Sequence, residues 1–326
     1  MKAVIGLDTS CYTTSVAAVD ESGSVIASLR KLLPVPMGRR GLRQSDAVFE
    51  HVRQIPILLE ELGKAVAPHE IAAVCVSERP RDGEDSYMPV FVAGDAQGRG
   101  LAALLHIPCF AVTHQAGHVR AALLDSGLDA VEFLAVHLSG GTTEILRVRG
   151  TSIDCIGGTL DLNAGQLVDR VGVLLQLPFP CGPHLEKLAV RGKAQNLLPV
   201  NMADEDVHCH LSGAETRVIH WLSSGEKSPE DAAAEVYDFL ARTVARLIAG
   251  AGRKTGLHPV LVAGGVASSA LFRELLQRRM HKLSPGMALY FGHPAYSGDN
   301  AVGVALLGLD QYKCLREDDV YGGTTD

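Results

Sequence analysis

Two histidines four residues apart, His114 and His118 in "VTHQAGHVR" (residues 112–120), sit where a helix is predicted to begin. At that spacing two side chains share one helix face, about 5–6 Å apart, so both imidazoles can reach a single metal ion. A zinc peptidase built on such a pair needs a glutamate beside the first histidine as general base. Here that position holds Gln115, whose amide cannot take a proton from water, which argues against peptide hydrolysis by that route. Spacing alone leaves the pair open between a metal centre and a capping or surface role. Asp299 in "PAYSGDNAVGVALLG" follows a Ser-Gly turn and precedes an apolar helix. It reads equally as a plain N-cap and as a third ligand. Two imidazoles and one carboxylate would leave positions open for phosphate oxygens, and suit iron, zinc or manganese alike.

A second constellation is a set of small-residue turns, each at the end of a predicted strand. "LSGGTTE" supplies Ser139, Gly140 and Gly141, and "VAGGVASS" supplies Gly264 and Gly265. Glycine there lets the backbone approach a ligand, and exposed N–H groups can hold phosphate. "GLDTS" makes a comparable turn with Asp8 at the strand end, suited to a metal-bound water beside a phosphate. Tight turns need glycine anyway, but three at strand ends, two of them at duplicated positions, favour a nucleotide.

The elements that must position these groups follow a repeated order. "KAVIGLDTSCYTTSVAAVDESGSVIASLRK" reads strand, turn, strand, turn, strand, and "EFLAVHLSGGTTEILRVRGTSIDCIGG" repeats it, with Thr13-Thr14 aligned to Thr142-Thr143. A period well above 100 residues indicates a duplication of lobes and not a solenoid. "SDAVFEHVRQIPILLEELGKAV" has helical spacing after a Ser-Asp start. In "SPEDAAAEVYDFLARTVARLIAGAGRKTG" Ser228 caps, Pro229 opens the first turn, and Val236, Phe239, Leu240, Thr243, Val244 and Leu247 make the buried stripe. "HPVLVAGGVASSALFRELLQRRM" gives strand, turn and a helix starting at Ser268 or Ser269. The expected architecture is α/β: two duplicated lobes, 1–112 and 113–326, each a mixed sheet flanked by helices, with a nucleotide and metal cleft between them.

Bulk properties narrow the function further. With 47% hydrophobic and 21% charged residues the chain can bury a substantial core and carries no signature of disorder. A formal charge of −7 is wrong for a protein that grips nucleic acid unaided, so any RNA would need a local patch or partner proteins. The one basic stretch holds Arg30, Lys31, Arg39, Arg40 and Arg43, and a solvated loop is its plainer reading. Seven scattered cysteines without a CxxC pair read as reduced thiols. With no signal peptide and no apolar run near about 18 residues, the expectation is a cytoplasmic protein that does not enter a membrane. "DVHCHLSG" and the charged "SERPRDGEDSY" loop (residues 77–87) read as solvated or satisfied polar segments.

Taken in order, "GLDTSCYTTS", "THQAGH", "LSGGTT", "DLNAGQLVDRVG", "LPFPCGPHLEKLA", "HLSGAETR", "VAGGVASSALFR" and "YSGDNAVGVA" resemble the TsaD family, formerly called O-sialoglycoprotein endopeptidases, almost end to end. That resemblance implies the RNase H-like fold of actin-like and sugar-kinase-like ATPases. It also implies transfer of a threonylcarbamoyl group from an adenylate onto adenosine 37 of certain tRNAs, within a complex of partner proteins. By position it places one divalent metal, iron or zinc, on His114, His118 and Asp299. It places an adenine nucleotide on Ser139, Gly140, Gly141, Asp169, Gly182 and Ser269, with Asp169 as the ribose-hydroxyl partner.

The chain also departs from that pattern. Where the family reads E-T-S-C-D-E-T, "DTSCYTT" puts Tyr12 and Thr13 in place of an acidic pair, and the second acid, implicated in catalysis, falls on Thr13. S-G-G-H-T becomes "SGGTT", and D-D-A-A-G-E becomes "DLNAGQ", with Leu162 and Gln166 for two carboxylates. The loop G-P-G-L becomes "ERPRDGED". Asp8 and Thr13 are therefore the expected catalytic positions of a metal- and nucleotide-dependent carbamoyl-type transferase. The alternatives are a divergent paralogue with another acceptor and a non-catalytic nucleotide-binding scaffold.

Overall fold

The computed structural model describes residues 2–10, 12–34, 42–83 and 86–321. The near-continuous apolar runs of "AVIGL" and "AAVCV" fit strands buried on both faces, and they form the middle of the first sheet. β1 (Ala3–Thr9), β2 (Thr13–Asp20) and β3 (Val25–Leu32) make an antiparallel meander, and β4 (Ile71–Arg79) and β5 (Cys109–Thr113) extend it in parallel, in the order β3-β2-β1-β4-β5. Alternation then decides what each face meets. Ala3, Ile5 and Leu7 share a core with Ile55, Leu58 and Leu62 of α1 (Gln44–Leu62) and with Ala93 and Ala102 of α2 (Val90–Leu105).

The intervening residues Val4 and Gly6 meet α9 (Val302–Tyr321), which comes from the far end of the chain. Helix and strand are so close that a Cβ on Gly6 would lie 2.5 Å from the Ala301 carbonyl oxygen. On its other side α9 presses against α3 (His114–Leu123), where a Cβ on Gly303 would lie 1.8 Å from the Gly117 carbonyl oxygen. Glycine is therefore obligatory at the crossing of the helix that carries the histidines with the helix that follows Asp299.

In the second unit β6 (Glu132–Leu138), β7 (Thr143–Arg149) and β8 (Ser152–Thr159) repeat the meander, and β11 (Pro259–Ala263) and β12 (Ala288–Phe291) repeat the parallel pair. The full order is β12-β11-β6-β7-β8-β10-β9, with β9 (Asn201–Ala203) and β10 (His208–His210) added at the edge. β2 and β7 both open within the aligned Thr-Thr pairs, at Thr13 and Thr143, as the repeated order predicts.

α7 (Pro229–Thr255) is capped by Ser228, which accepts from the Asp231 N–H. It is buried on nearly every side between Ala232 and Ala251, wider than the expected stripe, because other helices surround it. α4 (Ala164–Leu174), α5 (Gly182–Ala189), α6 (Ser212–Ser224) and α8 (Ala270–Leu283) complete this unit. Among the described residues no helix is long and apolar enough to cross a membrane.

The division of the chain is not one cut at residue 112. One compact unit comprises 1–121 together with 299–326, the other 122–298. The last helix returns to the first sheet, so the histidine pair and Asp299 both belong to the first unit, not to a C-terminal lobe of 113–326. α1 starts at Gln44, ahead of the expected Ser-Asp pair, and Arg43 gives it no side-chain cap.

Gly303→Ala should lower the stability of the protein by at least about 1–3 kcal/mol through overpacking, read as a lower midpoint in thermal unfolding. Gly100→Ala, at an exposed position of α2 with nothing within 4 Å of the added methyl, should raise it by roughly 0.5–1 kcal/mol. Equal effects at the two sites would contradict the close crossing.

Candidate metal centre and glycine-turn cluster

His114 is the first residue of α3 and His118 lies one turn on, so the predicted helix face exists. The rings meet edge to face, centroids 4.3 Å apart and planes at 75°, with the two Nε2 atoms 2.9 Å apart. Asp299 does not cap α9. That task falls to Asn300, whose Oδ1 accepts from the Val302 N–H. Asp299 instead sets Oδ1 3.3 Å from His118 Nε2 and 3.8 Å from His114 Nε2. The three donor atoms lie within 4.8 Å of one another. Ligands at about 2.1 Å around a tetrahedral ion stand about 3.4 Å apart, so 2.9–3.8 Å fits a metal ion in spacing and in donor type.

The tautomer fits as well. Asp8, fully buried at the end of β1, faces His114 Nδ1 with both carboxylate oxygens, at 2.9 and 3.0 Å. A carboxylate only accepts, so Nδ1 carries a proton in either charge state, and the second proton, on Nε2, is the one a metal ion displaces to leave that nitrogen facing His118 and Asp299. A ligating histidine held by a carboxylate through its other nitrogen is a recurrent arrangement in metal sites. Ser77 at the inward end of β4 donates to the same Asp8 carboxylate. Ser10, in the turn after β1, donates to Asp299 Oδ2 at 2.5 Å.

Electrostatics agree with a cation site. Burial disfavours charge on His114, but the Asp8 carboxylate beside it, and Asp299 beyond, outweigh burial and raise it to about 9. Burial likewise opposes charge on Asp299. The hydrogen bond from His118, the two imidazoles and the Ser10 hydroxyl overcome it and hold the carboxyl well below the usual range.

Thr13, expected at a catalytic position, is buried as the first residue of β2, and its N–H donates to Ser10 Oγ at 3.2 Å. Tyr12 is 50% exposed. Arg30, Lys31 and Arg43 of the basic stretch are exposed, while Arg39 and Arg40 lie outside the described residues.

The second unit gathers the glycine turns. A Cβ on Gly264 (φ +101°) would lie 2.3 Å from the Leu138 carbonyl oxygen, so this turn rests on the end of β6 beside Ser139. The Gly165 N–H at the start of α4 donates to the Ser139 carbonyl at 3.0 Å. A Cβ on Gly140, Gly141 or Gly265 would meet nothing within 4 Å, so these three keep backbone open to an approaching ligand. Asp169 Oδ1 accepts from the Cys181 N–H at 2.9 Å, and burial raises its carboxyl. The Tyr237 hydroxyl donates to the Gly182 carbonyl at 3.0 Å, and burial pushes its phenol up, with the charges of Glu186 and Asp169 adding to that and the Ser269 hydroxyl opposing it. Asp169, Gly182 and Ser269 are thus brought together around Tyr237. Ser269 also caps α8, accepting from the Phe272 N–H.

Sequence reasoning missed Ser10, Ser77 and Tyr237. For Ser77 a signal existed, a polar residue in line with a buried apolar strand. "DLNAGQ" proves partly structural: Gln166 accepts from the Asn163 N–H in a capping box, and Asp161 receives the Leu211 N–H and the Ser212 hydroxyl at the start of α6. His208 and His210 flank the buried Cys209 in β10 and face Asp204 and Asp161.

Compared with known proteins, residues 39–306 match the family described as TsaD, tRNA N6-adenosine threonylcarbamoyltransferase. A tRNA N6-adenosine threonylcarbamoyltransferase of Thermotoga neapolitana is 30% identical over 321 residues, 95% of this chain and 94% of its own. Among solved structures, the activator of 2-hydroxyisocaproyl-CoA dehydratase from Clostridium difficile, with bound ADPNP, superposes with a TM-score of 0.54 at 14% identity, over 97% of each chain. A ROK family glucokinase from Streptomyces griseus, in complex with glucose and AMPPNP, gives 0.55 at 12%, over 94% of this chain and 99% of its own. These likenesses show the fold alone: a mixed α/β architecture shared with those two structures.

The raised His114 gives the metal-free protein a pH signature. A histidine whose folded value lies above 6.5 contributes stability that is complete below 6.5 and lost as pH rises through about 9. Thermal unfolding of metal-free protein should therefore show a decline across that window, and Asp8→Asn should flatten it. Asp8→Asn should also weaken divalent-metal binding by about 10–100-fold. An unchanged profile and affinity would remove Asp8 from this role.

Proposed function

The chain belongs to the TsaD family of tRNA N6-adenosine threonylcarbamoyltransferases, and on that premise we propose that it is a metal- and nucleotide-dependent carbamoyl-type transferase acting on tRNA. The observation that carries this reading is the convergence of His114 Nε2, His118 Nε2 and Asp299 Oδ1, with Asp8 fixing the first imidazole in its ligating tautomer. A divalent ion held there, iron or zinc, would supply Lewis acidity toward phosphate and carbonyl oxygens.

The chain's own residues do the rest. Asp8 and Ser10 orient His114 and Asp299, so the ligands need little rearrangement. Gly140, Gly264 and Gly265 offer backbone N–H groups to the phosphate of an adenylate, in a turn held by the Ser139 N–H on the Thr142 carbonyl and the Gly141 N–H on the Ser139 hydroxyl. Gly182 and Ser269 line the nucleoside with Asp169, whose Oδ2 takes a ribose hydroxyl while Oδ1 stays on Cys181. In the transfer, the adenine amine of the acceptor attacks the carbamoyl carbon, a C–N bond forms, the C–O bond to phosphate breaks, the nucleotide leaves with that electron pair, and the proton lost by the amine passes to the departing phosphate. Partner proteins would help hold tRNA, given the net charge of −7.

One observation favours a second reading within the same chemistry. Thr13 is buried and cannot ionise where the resemblance calls for an acid, and the exposed Tyr12 precedes it. A different acceptor amine, with a paralogue serving the standard one, fits that change.

Incubating the protein with threonylcarbamoyl-adenylate and unmodified tRNA should yield modified adenosine by nucleoside mass spectrometry, and His114→Ala should cut the yield by at least about 100-fold. Adenylate cleavage without modified tRNA would favour another acceptor. Nucleotide binding with neither product would favour a scaffold and contradict the transferase.

A further inference from the structure

His51 enters no part of the reading above, yet it is fully buried in the middle of α1, a helix whose other inward side chains are mostly apolar. Its ring bridges the turn residue Ser10 and the side chain of Thr14 in β2. Nε2 lies 2.8 Å from the Ser10 carbonyl oxygen, and Nδ1 lies 2.7 Å from the Thr14 hydroxyl, which is itself 2.8 Å from the Gln54 carboxamide. The Ser10 carbonyl only accepts, so Nε2 carries a proton and donates it. Burial pushes the ring below the usual histidine range, against the Ser10 carbonyl and the Asp8 charge.

A buried imidazole at this place is unnecessary for helix packing. Ile55 and Leu58 of the same helix fill the core without polar groups, and a buried polar ring is tolerated only when its hydrogen bonds are met. What the ring does hold is the turn between β1 and β2. Ser10 is also the residue whose hydroxyl grips Asp299 Oδ2, and Oδ1 of that carboxylate faces the two histidines.

We propose that His51 is a positioning residue for the metal centre: its Nε2–H anchors the Ser10 carbonyl, and through the Ser10 hydroxyl it sets the Asp299 carboxylate against His114 and His118. This deepens the metal reading and rests on it. Outer partners of metal ligands commonly change affinity by about 10–100-fold when removed, and His51 stands one residue further out, so its effect should fall toward the lower end.

Two conservative variants separate positioning from packing. In His51→Gln the amide nitrogen can stand where Nε2 stood and reach Ser10. In His51→Asn the shorter amide reaches the Thr14 side only. Both remain polar, and thermal unfolding of the metal-free proteins reports folding for each. The probe is cobalt(II), titrated into metal-free protein and followed by its visible absorption bands, which report affinity and ligand geometry without catalysis.

The proposal expects His51→Gln within about threefold of wild type, and His51→Asn weakened by about tenfold with altered bands. Ser10→Ala should weaken binding similarly, and the double variant Ser10→Ala/His51→Asn should be no weaker than Ser10→Ala alone, because both act through one contact. Equal cobalt affinity in the Gln and Asn variants, or full additivity in the double variant, overturns the positioning role while leaving the centre intact. If wild type binds no cobalt, the metal reading itself fails and this inference falls with it.

Discussion

A carboxylate buried without partners cannot stay charged, and Asp8 is wholly buried at the end of a central strand. The strand before it is apolar from Ala3 to Leu7, and the groups that meet its carboxylate are brought from elsewhere in the sequence. His114 and Ser77 meet it. Satisfying Asp8 therefore fixes where α3 begins, which nitrogen of His114 is protonated, and which way the bare nitrogen points. The chemistry proposed for the centre depends on that one buried hydrogen bond.

The remaining geometry is a matter of bringing the far end of the chain to the same strand. α9 crosses β1 at Gly6 and α3 at Gly303, distances that no side chain allows. This close approach delivers Asp299, from near the far end of the chain, to the histidine pair. Ser10 then ties the carboxylate to the turn after β1. In the second unit the same topology puts Ser139 at the end of β6, where Gly264 and Gly165 pack against it and Gly140, Gly141 and Gly265 remain unobstructed.

Much of this was legible in the residues. The repeated strand order and the aligned Thr-Thr pairs gave the duplicated sheets, because apolar runs and turn residues are local signals. The spacing of His114 and His118 gave the shared helix face for the same reason. Asp299 was ambiguous, since an aspartate before a helix caps it as readily as it ligates. Only the long-range crossing of α9 over α3 decides, and no local pattern encodes that. The division at residue 112 failed on the same ground: the last helix belongs with the first sheet. His51, Ser77 and Tyr237 were hidden because a polar residue inside an apolar run looks like noise until its partner is known. The replaced carboxylate at Gln166 weighs less than it seemed, because an amide completes the capping box as well. Thr13 is the departure that the fold does not soften, since nothing at that position can carry charge.

The most direct test of the account is a crystal structure of the protein grown with zinc or ferrous iron, with anomalous diffraction collected at the metal edge. The account predicts one anomalous peak per chain, about 2.0–2.2 Å from His114 Nε2, His118 Nε2 and an Asp299 oxygen, with Asp8 still on His114 Nδ1. A metal bound elsewhere, or ligation through Nδ1 of His114 with Asp8 turned away, would contradict it.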